Sequence, residues 1–240
     1  MGNKILFSHA FVYLLLVVVS AASWADGFTV DKVYHPYVEA MEQEIEWRVV
    51  AQSGESTNKP RSQLHRFAYG RAFGDRWFGE FYVVGEKDQD ESLEVSAYEI
   101  EAIYQLSEQG EYWADWGLIF ELEKEDGLDI WEAGSGILVE KEHGRWSTTA
   151  NLLIVQEWGQ DIDDEIESSL AVQTRYRYSA LFEPAIEFHS AQNSKALGPV
   201  FLGDIRLGSR RNLHWELGAF AGLESDTPDY SFRGGIEFEF

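Results

Sequence analysis

Glutamates spaced two residues apart are the side chains of this sequence most capable of chemistry. They recur as Glu44 and Glu46, Glu99 and Glu101, Glu121 and Glu123, and Glu237 and Glu239, each pair enclosing an apolar residue. In a strand, successive side chains leave on opposite faces, so each pair shares a face. Carboxylates repeated on one face concentrate cations and repel anions. They become acids or bases in catalysis only where a nucleophile or a histidine stands within reach. Arginines fall into the same rhythm: Arg48 two residues after Glu46, Arg175 and Arg177 ahead of Glu183 and Glu187, and Arg233 ahead of Glu237.

The catalytic possibility finds little support. Beyond the first 25 residues the histidines are His35, His65, His143, His189 and His214. His189 and Ser190 are adjacent, so a strand sends them to opposite faces. His143 lies in a tight turn. His214 shares a face with Glu216, but no serine on that face completes a nucleophile pair. The expectation is therefore a protein that is not an enzyme. Cysteine is absent, which excludes disulfides, a thiol nucleophile and a thiolate metal site. Gly159 to Glu165 is acidic, yet it lacks the spaced glycine and terminal glutamate of a calcium loop. No cofactor and no metal is called for by these motifs.

The elements that must carry these residues have a period of two. Near the end of the chain, Phe232, Ile236, Phe238 and Phe240 fall on one face and Arg233, Glu237 and Glu239 on the other. The same alternation predicts strands over 42–52, 63–72, 76–86, 93–106, 112–123, 129–141, 145–158, 167–178, 182–190, 199–208, 212–223 and 230–240. Most are close to the roughly 9–11 residues with which a tilted strand crosses a bilayer. Short connections, such as Phe73 to Asp75 and Glu142 to Gly144, alternate with longer polar ones, such as Ser53 to Ser62 and Ala191 to Gly198. An even number of strands places both chain termini on the short-turn side.

The chain ahead of the strands divides in two. Residues 1–25 combine Lys4, the apolar run Phe11 to Val19 and small residues up to Ala25. They read as a secretory signal peptide cleaved after Ala25, with too short an apolar run to span a membrane as a helix. Residues 26–41 contain Pro36 and read as an extended periplasmic lead, and 42–240 as one barrel. With 42 acids against 19 Lys and Arg, the net charge of −23 excludes nucleic acid as a main partner.

Several features together carry a resemblance. Trp77, Tyr112, Trp113, Trp131, Trp146, Trp158, Tyr178 and Tyr230 gather near strand ends, where amphipathic rings suit a membrane interface. Every connection reads as a hairpin, the strand number is even, and the chain ends on Phe238-Glu239-Phe240. In this the sequence resembles the bacterial outer-membrane β-barrel proteins. The resemblance implies an all-β fold: a single up-and-down antiparallel transmembrane β-barrel of about 12 strands. It also implies residence in the outer membrane, contact with lipid and lipopolysaccharide, and reading of Phe240 by the barrel-assembly machinery. The opposite facing, apolar side in, gives a soluble periplasmic ligand-binding barrel.

With the apolar face toward lipid, the lumen is lined by Glu99, Glu101, Asp115, Glu121, Glu123, Glu132, Arg175, Arg177, Glu183, Glu187, Arg233 and Glu237. Over the whole inward face the same assignment counts 17 acids against 6 arginines. An unpaired buried charge costs several kcal/mol, so such a lumen is wet, holds cations or carries protonated acids. The expected function is a narrow passive channel for small cationic or neutral solutes, with a non-conducting interaction barrel as the alternative. One cross-strand brace is expected at the turn centred on Ala180: Arg177 opposite Glu183, and Arg175 diagonal to it.

Overall fold

The computed structural model describes residues 28–53, 62–88, 92–192, 194–225 and 227–240. The expected signal peptide and its cleavage point lie outside the described residues, as does most of the connection between Ser53 and Ser62. Twelve strands follow in chain order: β1 Gln43–Gln52, β2 Ser62–Phe73, β3 Trp77–Asp88, β4 Glu94–Gln105, β5 Asp115–Glu125 and β6 Ile130–His143, then β7 Trp146–Gly159, β8 Glu165–Tyr176, β9 Glu183–Ala191, β10 Ser194–Arg206, β11 Asn212–Gly222 and β12 Tyr230–Glu239. Each pairs antiparallel with its neighbours, and β1 pairs β12 from Glu44–Glu239 to Gln52–Ser231, closing the barrel. No helix occurs among the described residues. The fold is thus the up-and-down barrel that the resemblance implies, built from the twelve strands that alternation predicts.

Closure removes both sheet edges, so every strand finds partners for its backbone groups. That leaves the two faces to be distributed. Ile45, Trp47, Phe81, Ile100, Phe120, Leu152, Ile186 and Phe232 point outward and form an exposed apolar belt. Glu44, Glu46, Glu80, Glu99 and Glu101 alternate with them and are buried inside. The apolar-inside, soluble arrangement is therefore not the one adopted. Aromatic pairs mark the belt's margins: Trp77 on Tyr104 at 4.6 Å and Trp146 on Tyr176 at 4.9 Å at one end, and Trp131 opposite Trp158 at the other.

The connections depart from strict alternation at three places, one of them between β8 and β9, where residues 177–182 form a longer link than either neighbouring connection. β10 begins at Ser194, five residues before its expected start, so β9 and β10 are joined by residues 192 and 193 alone. Ser194, Lys195, Gly198 and Pro199 look like a loop, yet all four pair with β9 in one unbroken register. On the opposite end, β4 and β5 are joined by Leu106 to Ala114, longer than its neighbours. There Ser107 Oγ accepts from the Trp116 amide and Asp115 accepts from the Gly110 amide, which folds the segment on itself. The tight β2–β3 and β6–β7 turns each use a glycine with positive φ, Gly74 at 77° and Gly144 at 63°.

Residues 28–38, which belong to the expected periplasmic lead, run through the barrel interior. Val38 donates its amide to Gln105 at the tight-turn end of β4. Thr29 donates to Ser194 at the start of β10, at the other end of the wall. Ten extended residues cover about 33 Å, near the ~30 Å of a bilayer's hydrocarbon core. The segment thus traverses the lumen before the chain turns back into β1. Two apolar clusters form around it. Val30 packs with Val50, Leu64, Tyr82, Val200 and Phe220; Tyr34 packs with Phe78, Ile103, Ile119 and Leu138.

Candidate functional site

The lumen has a cationic pole and an acidic wall, and residues 28–38 lie between them. Asp31 is held by the cationic pole. Its carboxylate ion-pairs with Arg48 Nε at 3.2 Å and Arg66 Nη2 at 3.8 Å, and its carbonyl accepts from Arg233. Arg233 is wholly buried and ion-pairs with Glu187 and Glu216, both at 2.9 Å. Glu187 also accepts from Gln173 at 2.7 Å and meets His189 Nε2 at 3.0 Å. This charge is therefore fully enclosed in a network, the condition under which a buried ion pair is tolerated.

Lys32 points the other way. Its Nζ meets Glu46 at 2.6 Å and Glu237 at 3.2 Å. Toward the tight-turn end, His35 Nδ1 meets Glu140 at 2.5 Å, and the Tyr37 hydroxyl donates to Asp115 at 2.8 Å. Tyr34 donates its amide to Asn151 and accepts from the same side chain at its carbonyl, at 2.7 and 2.8 Å. That two-way amide clamp pins the middle of the segment without help from any strand ladder.

The acidic wall is built by register. Glu80, Glu101 and Glu121 stand directly opposite one another on β3, β4 and β5. One step along, Glu99, Glu123, Glu132, Glu157 and Glu165 do the same across β4 to β8. Like charges directly opposite are destabilising unless something neutralises them. Arg66 reaches Glu99 from β2. Two groups place one carboxylate oxygen each within 4.8 Å of one another: Glu44, Glu46 and Glu237, and Glu99, Glu101 and Glu121. A cleft of about 200 Å³ lies beside the segment, touched by Thr29, Asp31, Lys32, Glu121, Glu167 and His189.

The residues named from sequence thus fall into distinct places. Glu99, Glu101, Glu121, Glu123 and Glu132 share the wall of β4 to β6. Glu187 and Arg233 form the enclosed pair, Glu237 holds Lys32, and Asp115 holds Tyr37. Arg175 reaches Glu183 diagonally at 3.5 Å, as expected. Arg177 does not oppose Glu183. It lies past the end of β8, its amide is bound by the Arg145 carbonyl in the β6–β7 turn, and its guanidinium pairs with Glu142 at 2.5 Å. Phe240 stacks on Phe238 on the outer face at 5.7 Å, its amide bonded to the Gln43 carbonyl.

Asp31, Lys32, Tyr34, His35 and Tyr37 escape the sequence reading as lumen residues, because the segment pairs with no strand and shows no period. The only signal is compositional: adjacent opposite charges and a histidine in a short apolar stretch. The His35 pocket does not build a nucleophile relay. Glu140 and the Thr149 hydroxyl both face the same ring nitrogen, Nδ1, whereas a triad needs acid and hydroxyl on opposite nitrogens.

No family model and no curated protein matches the chain in sequence. Solved structures do match in fold. An outer-membrane channel from Pseudomonas putida F1 superposes with a TM-score of 0.57 at 13% identity, covering 88% of this chain and 98% of that one. The KdgM porin in complex with disordered oligogalacturonate superposes with a TM-score of 0.54 at 12% identity, covering 82% of this chain and 99% of that one. At such identities the likeness is one of fold. The chain has the closed twelve-strand architecture found among bacterial outer-membrane β-barrel proteins.

Proposed function

We propose that this protein is an outer-membrane channel barrel for small cationic or neutral solutes, closed from within by residues 28–38. The carrying observation is the way that segment is held. It crosses the lumen on side-chain contacts, Asp31 to the arginines, Lys32 to Glu46 and Glu237, and Asn151 to Tyr34, while all twelve strands pair without it. An element outside the ladder can leave without opening the barrel. The wall it would uncover carries opposed carboxylates over β3 to β8, which favours cations over anions. The KdgM porin is recorded with oligogalacturonate, a polymer of acidic sugars; this wall would repel such a chain. The exposed apolar belt fits a hydrocarbon environment and supports the outer membrane as the location.

The filled lumen also favours a second function, a barrel that never conducts and presents its loops to a partner. Planar-bilayer recording separates the two. The Thr29 and Ser194 hydroxyl oxygens lie 2.7 Å apart, and the chain has no cysteine. A Thr29→Cys/Ser194→Cys pair should therefore tie the segment down when oxidised. The channel predicts cation-selective openings in the wild type, abolished by oxidation of this variant and restored by a reductant. It also predicts more frequent openings after Lys32→Gln. Silence of folded wild type and of Lys32→Gln alike would establish the non-conducting barrel.

A further inference from the structure

We infer that Glu99, Glu101 and Glu121 form a divalent-cation site in the barrel wall, of the all-oxygen kind that suits calcium. Glu99 and Glu101 point inward from β4, and Glu121 faces Glu101 directly from β5. One oxygen from each lies within 4.8 Å of the others. Oxygens bound to one Ca²⁺ at about 2.3–2.6 Å sit no more than about 5 Å apart, so one ion can reach all three. No histidine or cysteine belongs to the group, which argues against zinc or copper.

Proximity of acids is not sufficient, and a second observation points to a ligand. Glu101 is 1% exposed, and only the Tyr34 hydroxyl approaches its carboxylate, which leaves at least one of the two oxygens without a hydrogen-bond partner. Glu80, opposite Glu101 on β3 and 4% exposed, likewise has an unpartnered oxygen, Oε1. The Tyr82 hydroxyl, fully buried and facing Glu99 across the β3–β4 pair, is also unpartnered. An unmet buried carboxylate is costly, and here several converge.

The same lumen shows how such a group is satisfied. Glu44, Glu46 and Glu237 are equally close together, and Lys32 places its ammonium among them, 2.6 Å from Glu46 and 3.2 Å from Glu237. The second group receives one cation, Arg66, bound to Glu99, and the neutral Tyr34 hydroxyl beside Glu101; among the described residues no lysine reaches Glu101 or Glu121. The wall also keeps room for the carboxylate. At Gly134, opposite Glu121 on β6, a Cβ would come within 2.7 Å of the Glu121 Oε2. A bound dication supplies at this group what Lys32 supplies at the other. The inference does not depend on whether the lumen conducts.

The test is titration of the full-length folded barrel, free of lipopolysaccharide and stripped with chelator, with CaCl₂ by calorimetry and with Tb³⁺ by sensitised luminescence. One saturable site is expected, with calcium raising the unfolding temperature. Glu101→Gln and Glu121→Gln should each weaken binding at least about tenfold, the scale on which lesser changes around a metal already act. Glu44→Gln, in the group that Lys32 fills, should leave it unchanged. Heat-modifiable gel mobility reports folding for each variant, so Glu121→Gln decides the matter if Glu101→Gln does not fold. Absence of a saturable site, or binding that both wall variants retain, would overturn the inference and leave protons to neutralise the wall.

Discussion

Replacing Asp31 by Asn removes the charge that seats the luminal segment on the cationic pole. Arg48 loses a partner at 3.2 Å and Arg66 one at 3.8 Å, while the carbonyl contact to Arg233 survives. Stripping one partner from a buried ion pair costs about 3–5 kcal/mol. The cost here is lower, about 2–3 kcal/mol on the same scale, for two reasons. Arg48 keeps Glu46 at 3.4 Å and Arg66 keeps Glu99, and the Asp31 side chain is 33% exposed. At 1.4 kcal/mol per decade, the unseated population rises about 30- to 150-fold. Hydrogen exchange reads this directly, because the Tyr34 and Val38 amides are bonded to the Asn151 and Gln105 side chains and exchange when the segment leaves. In Asp31→Asn those two amides should exchange faster by that factor, with strand amides unchanged. Unaltered exchange at Tyr34, or equal acceleration throughout the strands, would refute the claim that the segment is a separately seated element.

Acid should act on the same seat. Protonating Asp31 removes the charge that Arg48 and Arg66 bind, as Asp31→Asn does. Tyr34 exchange in the wild type should accelerate as acid protonates Asp31, and Asp31→Asn should show no such step. Glu42 carries the opposite sign: burial, then Glu239 and Glu39, push its carboxyl up to about 8. Its stabilising protonation is lost as pH rises from 4.5 through about 8, and Glu42→Gln should flatten the fall in thermal stability over that range. Ile100 is 58% exposed on the apolar belt, and Ile100→Lys should destabilise the inserted barrel by about 2–4 kcal/mol near the midplane; unchanged denaturant midpoints in lipid vesicles would place that face away from lipid. Deleting Phe240 should reduce the yield of heat-modifiable barrel in outer membranes, and full yield would mean that the terminal aromatic carries no assembly signal.

The division between what is written locally and what is not follows from the range of the forces involved. A strand's two faces are set by a period of two, so twelve alternating runs disclose twelve strands, and the aromatic margins and even number disclose closure. The facing of Glu99, Glu101, Glu121, Glu187 and Arg233 follows from the same rule. Where a residue's surroundings are settled by partners far along the chain, alternation has nothing to say. Lys32 meets Glu237 across 205 positions and Arg233 meets Asp31 across 202. Residues 28–38 pair with no strand and so display no period to read. Arg177 illustrates the boundary: one residue beyond β8, it is freed from strand geometry and turns to Glu142. The start of β10 shows the reverse, since Ser194 to Pro199 has the composition of a loop and is made a strand by the ladder of β9. Sequence alone thus determined a wall of alternating charge and grease, while the tertiary structure decided what stands inside it. Only closure of the barrel brings the arginines of β1, β2 and β12 to converge on Asp31.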